Sequence, residues 1–221
     1  MEQSVKQLSE GMSRSRTDSG LPLRGFADVG AGWSSKDDPA RQRGFNGGTF
    51  NLFLTPQFGD RVKGLVEIVA EYGDDGHVAF DLERIQLGYT VDDQVAVWGG
   101  RFHTPMGVWN TAFHHGANLQ TSINRPRFID FEDKGGVVPA HGVGLLVSGK
   151  TKLGVGKFSY DVYLANGSHI TDRTLDFGAY NDDNSGKMLG FNLGYSFAGS
   201  LNGLTVGAHG FGTTVNVYDT T

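Results

Sequence analysis

Val62-Lys63-Gly64-Leu65-Val66-Glu67-Ile68-Val69-Ala70-Glu71-Tyr72 is the stretch that decides the fold. Val62, Gly64, Val66, Ile68, Ala70 and Tyr72 fall on one side of a two-residue repeat. Lys63, Leu65, Glu67, Val69 and Glu71 fall on the other. Successive side chains of a β-strand point to opposite faces, so one face of this strand carries no charge.

The pattern spreads outward from there. Upstream, Gly59-Asp60 makes a hairpin turn after Thr49–Phe58, where Phe50, Leu52, Leu54, Pro56 and Phe58 share a face. Leu23–Trp33 alternates in the same way, and residues 34–48 read as a polar loop. Downstream come Val78–Thr90 and Gln94–His103, the latter with Ala96, Trp98 and Phe102 set against Arg101 and His103. Gly142–Gly149, Lys157–Ala165, Met188–Phe197 and Leu204–Tyr218 complete about nine strands. Asp81 and Glu83 fall on the apolar face by strict counting, and either a bulge or a position at the strand end accounts for them.

The connections alternate between short turns and longer loops, as in outer-membrane barrels. Aromatic residues sit near strand ends on the apolar face, at Trp33, Phe58, Tyr72, Tyr89, Phe158 and Phe197. The expected fold is therefore all-β: an antiparallel transmembrane β-barrel, with residues 21–221 forming its N-terminal part and residues 1–20 a polar arm. The same alternation also suits a soluble antiparallel sandwich or barrel, but that would turn its apolar side chains inward. An odd strand count suggests a chain that continues beyond Thr221, or a count off by one.

Composition bounds the function. The 221 residues include 34 glycines, 6 prolines and no cysteine, so disulfide and thiolate chemistry are excluded. The net charge of −5 gives no nucleic-acid footprint. Mean hydropathy is −0.29, and no run of about 18 apolar residues is present to cross a membrane as a helix. The N-terminus lacks the apolar core of a signal peptide, so an exported protein would need a leader outside this sequence.

The longest interruption of the strand pattern is 104–140, rich in His, Arg, aromatic and amide side chains. Loops beyond about 12–15 residues in compact domains are mostly functional or disordered. This one is expected to fold into the barrel mouth as a constriction. The strand register makes Arg24, Lys63, Arg84 and Arg101 the lumen cations, and Asp28, Glu67, Glu71 and Asp161 the lumen anions. The loop adds His103, His114, His115, Arg125 and Arg127, facing Asp130, Glu132 and Asp133. Charged rings and constrictions set pore selectivity, but each arginine serves equally well to brace the loop against the wall.

Other motifs carry less. Gly144–Thr151 satisfies the P-loop pattern, yet its residues read as a strand with no helix to follow. Asn181-Asp-Asp-Asn-Ser-Gly186 resembles half of an EF-hand, but the closing position is Asn192 in place of glutamate. Adjacent His114 and His115 point apart in an extended segment, which favours a structural or pore-lining role over metal binding. Glu67 and Glu71, about 13 Å apart on one strand face, suit a lumen lining better than a glycosidase pair. No cofactor is implied, and no covalent chemistry.

Gly100-Arg101-Phe102-His103-Thr104-Pro105-Met106-Gly107, at the end of a strand and opening the long loop, resembles the G-[RQ]-F-x-x-P-[FM]-G element of phosphate-selective porins of the O/P type. The resemblance implies a sixteen-stranded homotrimeric channel in a Gram-negative outer membrane. It also implies an inward-folded loop and an anion site of clustered arginines and lysines. The expected partners are outer-membrane lipid, lipopolysaccharide and small hydrophilic solutes, anions among them. Two other functions fit the sequence: a barrel enzyme or adhesin with ligand-binding loops, and a soluble β-sandwich binding protein.

Overall fold

The structure is a computed structural model that describes residues 22–33, 44–73, 76–107, 109–112, 114, 139–171, 174–176 and 181–216. In chain order the strands are β1 (Leu23–Ala27), β2 (Gly30–Gly32), β3 (Gly44–Asn46), β4 (Thr49–Leu54), β5 (Gln57–Phe58), β6 (Val62–Tyr72) and β7 (Val78–Thr90). They continue as β8 (Ala96–His103), β9 (His141–Leu153), β10 (Gly156–Ala165), β11 (His169–Thr171), β12 (Thr174–Asp176), β13 (Met188–Ser196) and β14 (Thr205–Gly212). A single turn of helix, α1 (Trp109–Ala112), lies between β8 and β9.

The protein is all-β, and its main sheet is one antiparallel meander. The path runs β1-β4-β6-β7-β8-β9-β10-β13-β14, with β5 pairing β6. All nine expected strands lie on this path. Among the described residues β1 and β14 are its ends, so the sheet is open there. The connections at one end span 59–61, 91–95, 154–155 and 197–204, and those at the other span 28–48, 73–77, 104–140 and 166–187. The three longest connections thus lie at one end, although 73–77 beside them is no longer than 91–95 and shorter than 197–204. Gly59 and Gly154 take positive φ in two of the short turns, which a side chain would resist.

Register sorts the side chains. Leu52 faces Ile68, Val66 faces Ile85, Val147 faces Val162, and Val162 faces Phe191. Directly opposed residues of antiparallel strands share a face, so an apolar face runs from β1 to β14, interrupted at the long-loop end of β8, where Arg101 is opposed to Ile85 and Val143. That face is the exposed one: Phe80 is 75% exposed and Leu87 and Leu189 each 59%. The other face carries Glu67, Arg84, Asp161 and Asn192, and it is covered in part, with Glu67 2% exposed but Arg24, Lys63, Glu71, Lys150 and Ser159 exposed. Burial is inverted relative to a water-soluble sheet.

Two local devices maintain this sorting. Glu67 pairs with Arg84 but Ile68 pairs with Leu82, leaving Glu83 as the extra residue of a β-bulge. The bulge returns Val78, Phe80 and Leu82 to the apolar face and takes Asp81 and Glu83 off it. The second device is glycine beneath aromatic rings. A Cβ on Gly190 would fall inside the Tyr163 ring, and one on Gly88 inside the Trp98 ring.

A small apolar core covers the polar face near the long-loop end. Phe102, Tyr163, Ala165 and Met188 pack together with Leu146 and Phe211, and Phe102 meets Tyr163 edge to face at 6.0 Å. Met106 and Ala140, at the two ends of the long connection, pack on Phe211 of β14. The base of that connection therefore crosses the polar face.

Several expectations are corrected. Trp98 pairs with Gly88 and Leu146 on the covered face, while Val97 and Gly99 take the apolar side. The register after the 91–95 turn sets this phase, and the strand's own composition does not reveal it. Gly100 then takes φ +129, and beyond it Arg101, Phe102 and His103 are all buried. Residues 44–46 form a ribbon with 30–32 where a loop was expected, and β9 continues past Gly149 to Leu153. The P-loop-like residues 144–151 lie wholly within β9. The arm 1–20 lies outside the described residues.

Replacing Gly190 by alanine tests the glycine–aromatic contact. Overpacking of this kind costs about 1–3 kcal/mol. Gly190→Ala should lower the denaturant midpoint accordingly, whereas Gly212→Ala, with open space at its Cβ, should not.

Candidate functional site

Four chain segments bring their ligating side chains to one point beneath the long-loop end. The β7 bulge aims Glu83 inward, β8 ends on His103, β9 begins on His141, and His114 follows α1. His103 and His141 are direct cross-strand partners. Glu83 Oε2 lies 2.7 Å from His141 Nε2, 3.5 Å from His114 Nε2 and 3.7 Å from His103 Nε2. The three imidazole rings lie tilted or edge-on to one another at centroid distances of 3.9 to 5.0 Å. All four residues are buried, and their ligating atoms lie within 4.8 Å of one another. Three imidazole nitrogens and a carboxylate oxygen form a donor set that suits a transition metal. Glu67 stands behind, 3.9 Å from His103 Nε2 and ion-paired with Arg84.

Asn110 holds the loop closed. Its Nδ2 donates to the carbonyl oxygens of Thr104 at 2.8 Å and Ala140 at 2.9 Å, and lies 3.0 Å from Thr104 Oγ1. Those carbonyls can only accept, so the amide orientation is determined. Its Oδ1 consequently accepts from His114 Nδ1 at 2.7 Å. Thr104 N donates to Ala140 O at 3.0 Å, and Thr104 Oγ1 donates to Pro139 O. One buried amide thus joins both ends of the long connection to its histidine.

The expected lumen residues are dispersed along the covered face. Arg24, Lys63 and Glu71 are exposed there, opposite Phe53, Gly88 and Thr49 respectively. Arg84 lies 5.9 Å over the Phe53 ring and binds Glu67, so both charges brace the wall. Arg101 is buried, bonded to Leu82 O and 3.7 Å from Asp81. Asp28 caps the β1–β4 connection by accepting from Thr49 N and Oγ1. Asp161 faces Asn192. His103 and His114 come together; His115, Arg125, Arg127, Asp130, Glu132 and Asp133 lie outside the described residues.

Glu83, His141 and Asn110 were not selected from the sequence. His141 was detectable in principle: His103 and His141 are the last and first strand residues flanking the loop, so closing it pairs them. Glu83 was visible as a phase violation on β7, without an indication of its destination. Nothing local marks Asn110.

At the short-turn end, the covered face opens into a recess of about 470 Å³ lined by Lys63, Trp98, Ser148, Lys150, Ser159 and Asp161. The EF-hand-like loop is tied up internally. Asp182 accepts from Gly167 N, Asn184 N and Lys187 Nζ, at 3.0, 3.1 and 2.7 Å. Burial pushes its carboxyl up, but these donors outweigh it and hold the group below its usual value. Asn192 sits in β13 beside Asp161 and cannot close a calcium loop.

Comparison with protein-family models, curated proteins and solved structures finds no match for this chain.

Removing the Asn110 amide takes a donor from the buried Thr104 carbonyl, whereas Ala140 O keeps the Thr104 amide, and a buried polar group left unsatisfied costs about 1–3 kcal/mol. Asn110→Ala should destabilise the fold by that order, read from denaturant unfolding. Asn110→Asp should cost more, because a carboxylate then faces the two carbonyl oxygens. Equal stability of all three proteins would show that the latch contributes nothing.

Proposed function

We propose that this chain is the N-terminal part of an outer-membrane β-barrel channel, passing small hydrophilic solutes by diffusion, with 104–140 as its constriction. The observation that carries the reading is the inverted burial. Large apolar side chains are exposed on eight of the nine path strands, β8 excepted, while charged and amide side chains occupy the opposite face. Soluble monomers rarely expose contiguous apolar patches beyond a few hundred Å². In lipid the same surface is stabilised, and a charge near the midplane costs about 2–4 kcal/mol.

Supporting observations come from the two ends. Tyr160 and Tyr195 point their hydroxyls at backbone carbonyls of the short-turn end, donating to Gln94 O and Leu153 O at 3.1 and 2.8 Å. Phe58, Tyr89 and Phe158 lie near that end on the apolar face. An apolar ring with a polar tip suits a membrane interface. At the other end, Met106 on Phe211 carries the base of the long connection across the covered face. Lys63, Lys150 and Asp161 would line the aqueous path leading to it. A barrel in lipid tolerates no open edge, so the edges of β1 and β14 are where the further strands of a sixteen-stranded barrel would pair. The homotrimer and anion preference follow from the family resemblance.

Two measurements test this. Val162→Arg, mid-strand on the apolar face, should impair insertion into phospholipid vesicles by about 2–4 kcal/mol, whereas Ser159→Arg on the polar face should insert like the parent. Equal insertion would refute the inside–outside assignment. In planar bilayers the protein should show discrete conductance steps, and Lys150→Glu should shift the reversal potential toward cation preference. A protein that inserts but never conducts is not a channel.

A further inference from the structure

We propose that Glu83, His103, His114 and His141 bind one divalent transition-metal ion of the zinc class, which staples the long connection to the wall formed by β7, β8 and β9. The site does not depend on the channel reading, because it rests on the ligand geometry alone.

The donors lie close enough together to converge on one four-coordinate ion. Metal–nitrogen bonds of about 2.0–2.1 Å give a tetrahedron with edges of about 3.3–3.4 Å. Glu83 Oε2 lies 2.7, 3.5 and 3.7 Å from the three Nε2 atoms, and all four donors lie within 4.8 Å of one another, so an ion would open the Glu83–His141 contact and draw the more distant donors inward to complete the tetrahedron.

The hydrogen-bond network prepares the ligands. Asn110 Oδ1 can only accept, so His114 Nδ1 bears a proton and Nε2, on the Glu83 side, is the nitrogen placed to ligate. A second-shell acceptor on the remote nitrogen is the usual companion of a metal-bound imidazole. Imidazole and carboxylate together favour zinc, copper, iron or nickel over magnesium or calcium.

Four protein ligands close the shell of a four-coordinate ion, which makes the site structural. His103 and His141 belong to the strands that enter and leave the long connection, His114 belongs to the connection, and Glu83 to the neighbouring strand. An ion here would cross-link all four segments.

The test uses the purified full chain, stripped with a chelator and titrated with Zn²⁺. One equivalent should bind per chain. His141→Ala and Glu83→Gln should weaken binding at least tenfold. Asn110→Ala, which removes the second-shell acceptor together with the loop closure, should weaken it at least about 10–100-fold. His77→Ala, a histidine outside the cluster, should leave it unchanged. Zinc should also slow hydrogen exchange at the Thr104 amide. No stoichiometric binding, or parental affinity in His141→Ala, overturns the proposal. Should the ligand variants fail to fold, the cobalt(II) form of the unaltered protein decides. Intense visible bands of a four-coordinate ion support the site, and the pale spectrum of six-coordinate cobalt overturns it. Neither readout involves conductance, so failure here and failure as a channel are separable.

Discussion

The single extra residue at Glu83 sets the arrangement of much of this structure. A strand alternates strictly, so without the bulge Val78, Phe80 and Leu82 would turn onto the polar face, and Ala79, Asp81 and Glu83 onto the apolar one. With it, the apolar face stays continuous from β6 through β7, and a carboxylate is delivered to three histidines. One local irregularity thus maintains an uncharged outer surface and builds the most concentrated polar site among the described residues.

The glycine content follows from the same sheet. On the covered face large rings alternate with absent side chains: Tyr163 lies over Gly190 and Trp98 over Gly88. The rings lie across the neighbouring strand and fill the space that glycine leaves. A sheet packed this way covers its polar side with few side chains, leaving the recess around Lys63 and Asp161 open. Lys63, Lys150 and Asp161 are accessible in it, whereas Glu67 and Arg84 neutralise one another. In the proposed channel the first group would meet solute and the second would stiffen the wall.

The long connection owes its position to three kinds of contact. Met106 and Ala140 pack on Phe211, Asn110 bridges the carbonyls at both ends, and His114 enters the Glu83 cluster. Apolar packing is non-directional and locates the segment on the face. The amide is directional and fixes its closure. These contacts make the base of the connection part of the folded sheet.

The strand period of two is a property of neighbouring residues, so the sequence by itself determined the all-β class, the nine strands of the path, the uncharged face of β6 and the placing of the three longest connections at one end. Strand phase after a turn is not local. The 91–95 connection decides which way Trp98 points, and nothing within Ala96–His103 reports it. The meeting of Glu83, His103, His114 and His141 is further removed from the sequence, because it needs the bulge, the β8–β9 register and the Asn110 closure together. Only the tertiary structure decided that convergence, since each of the three is set by pairing between segments distant in the chain.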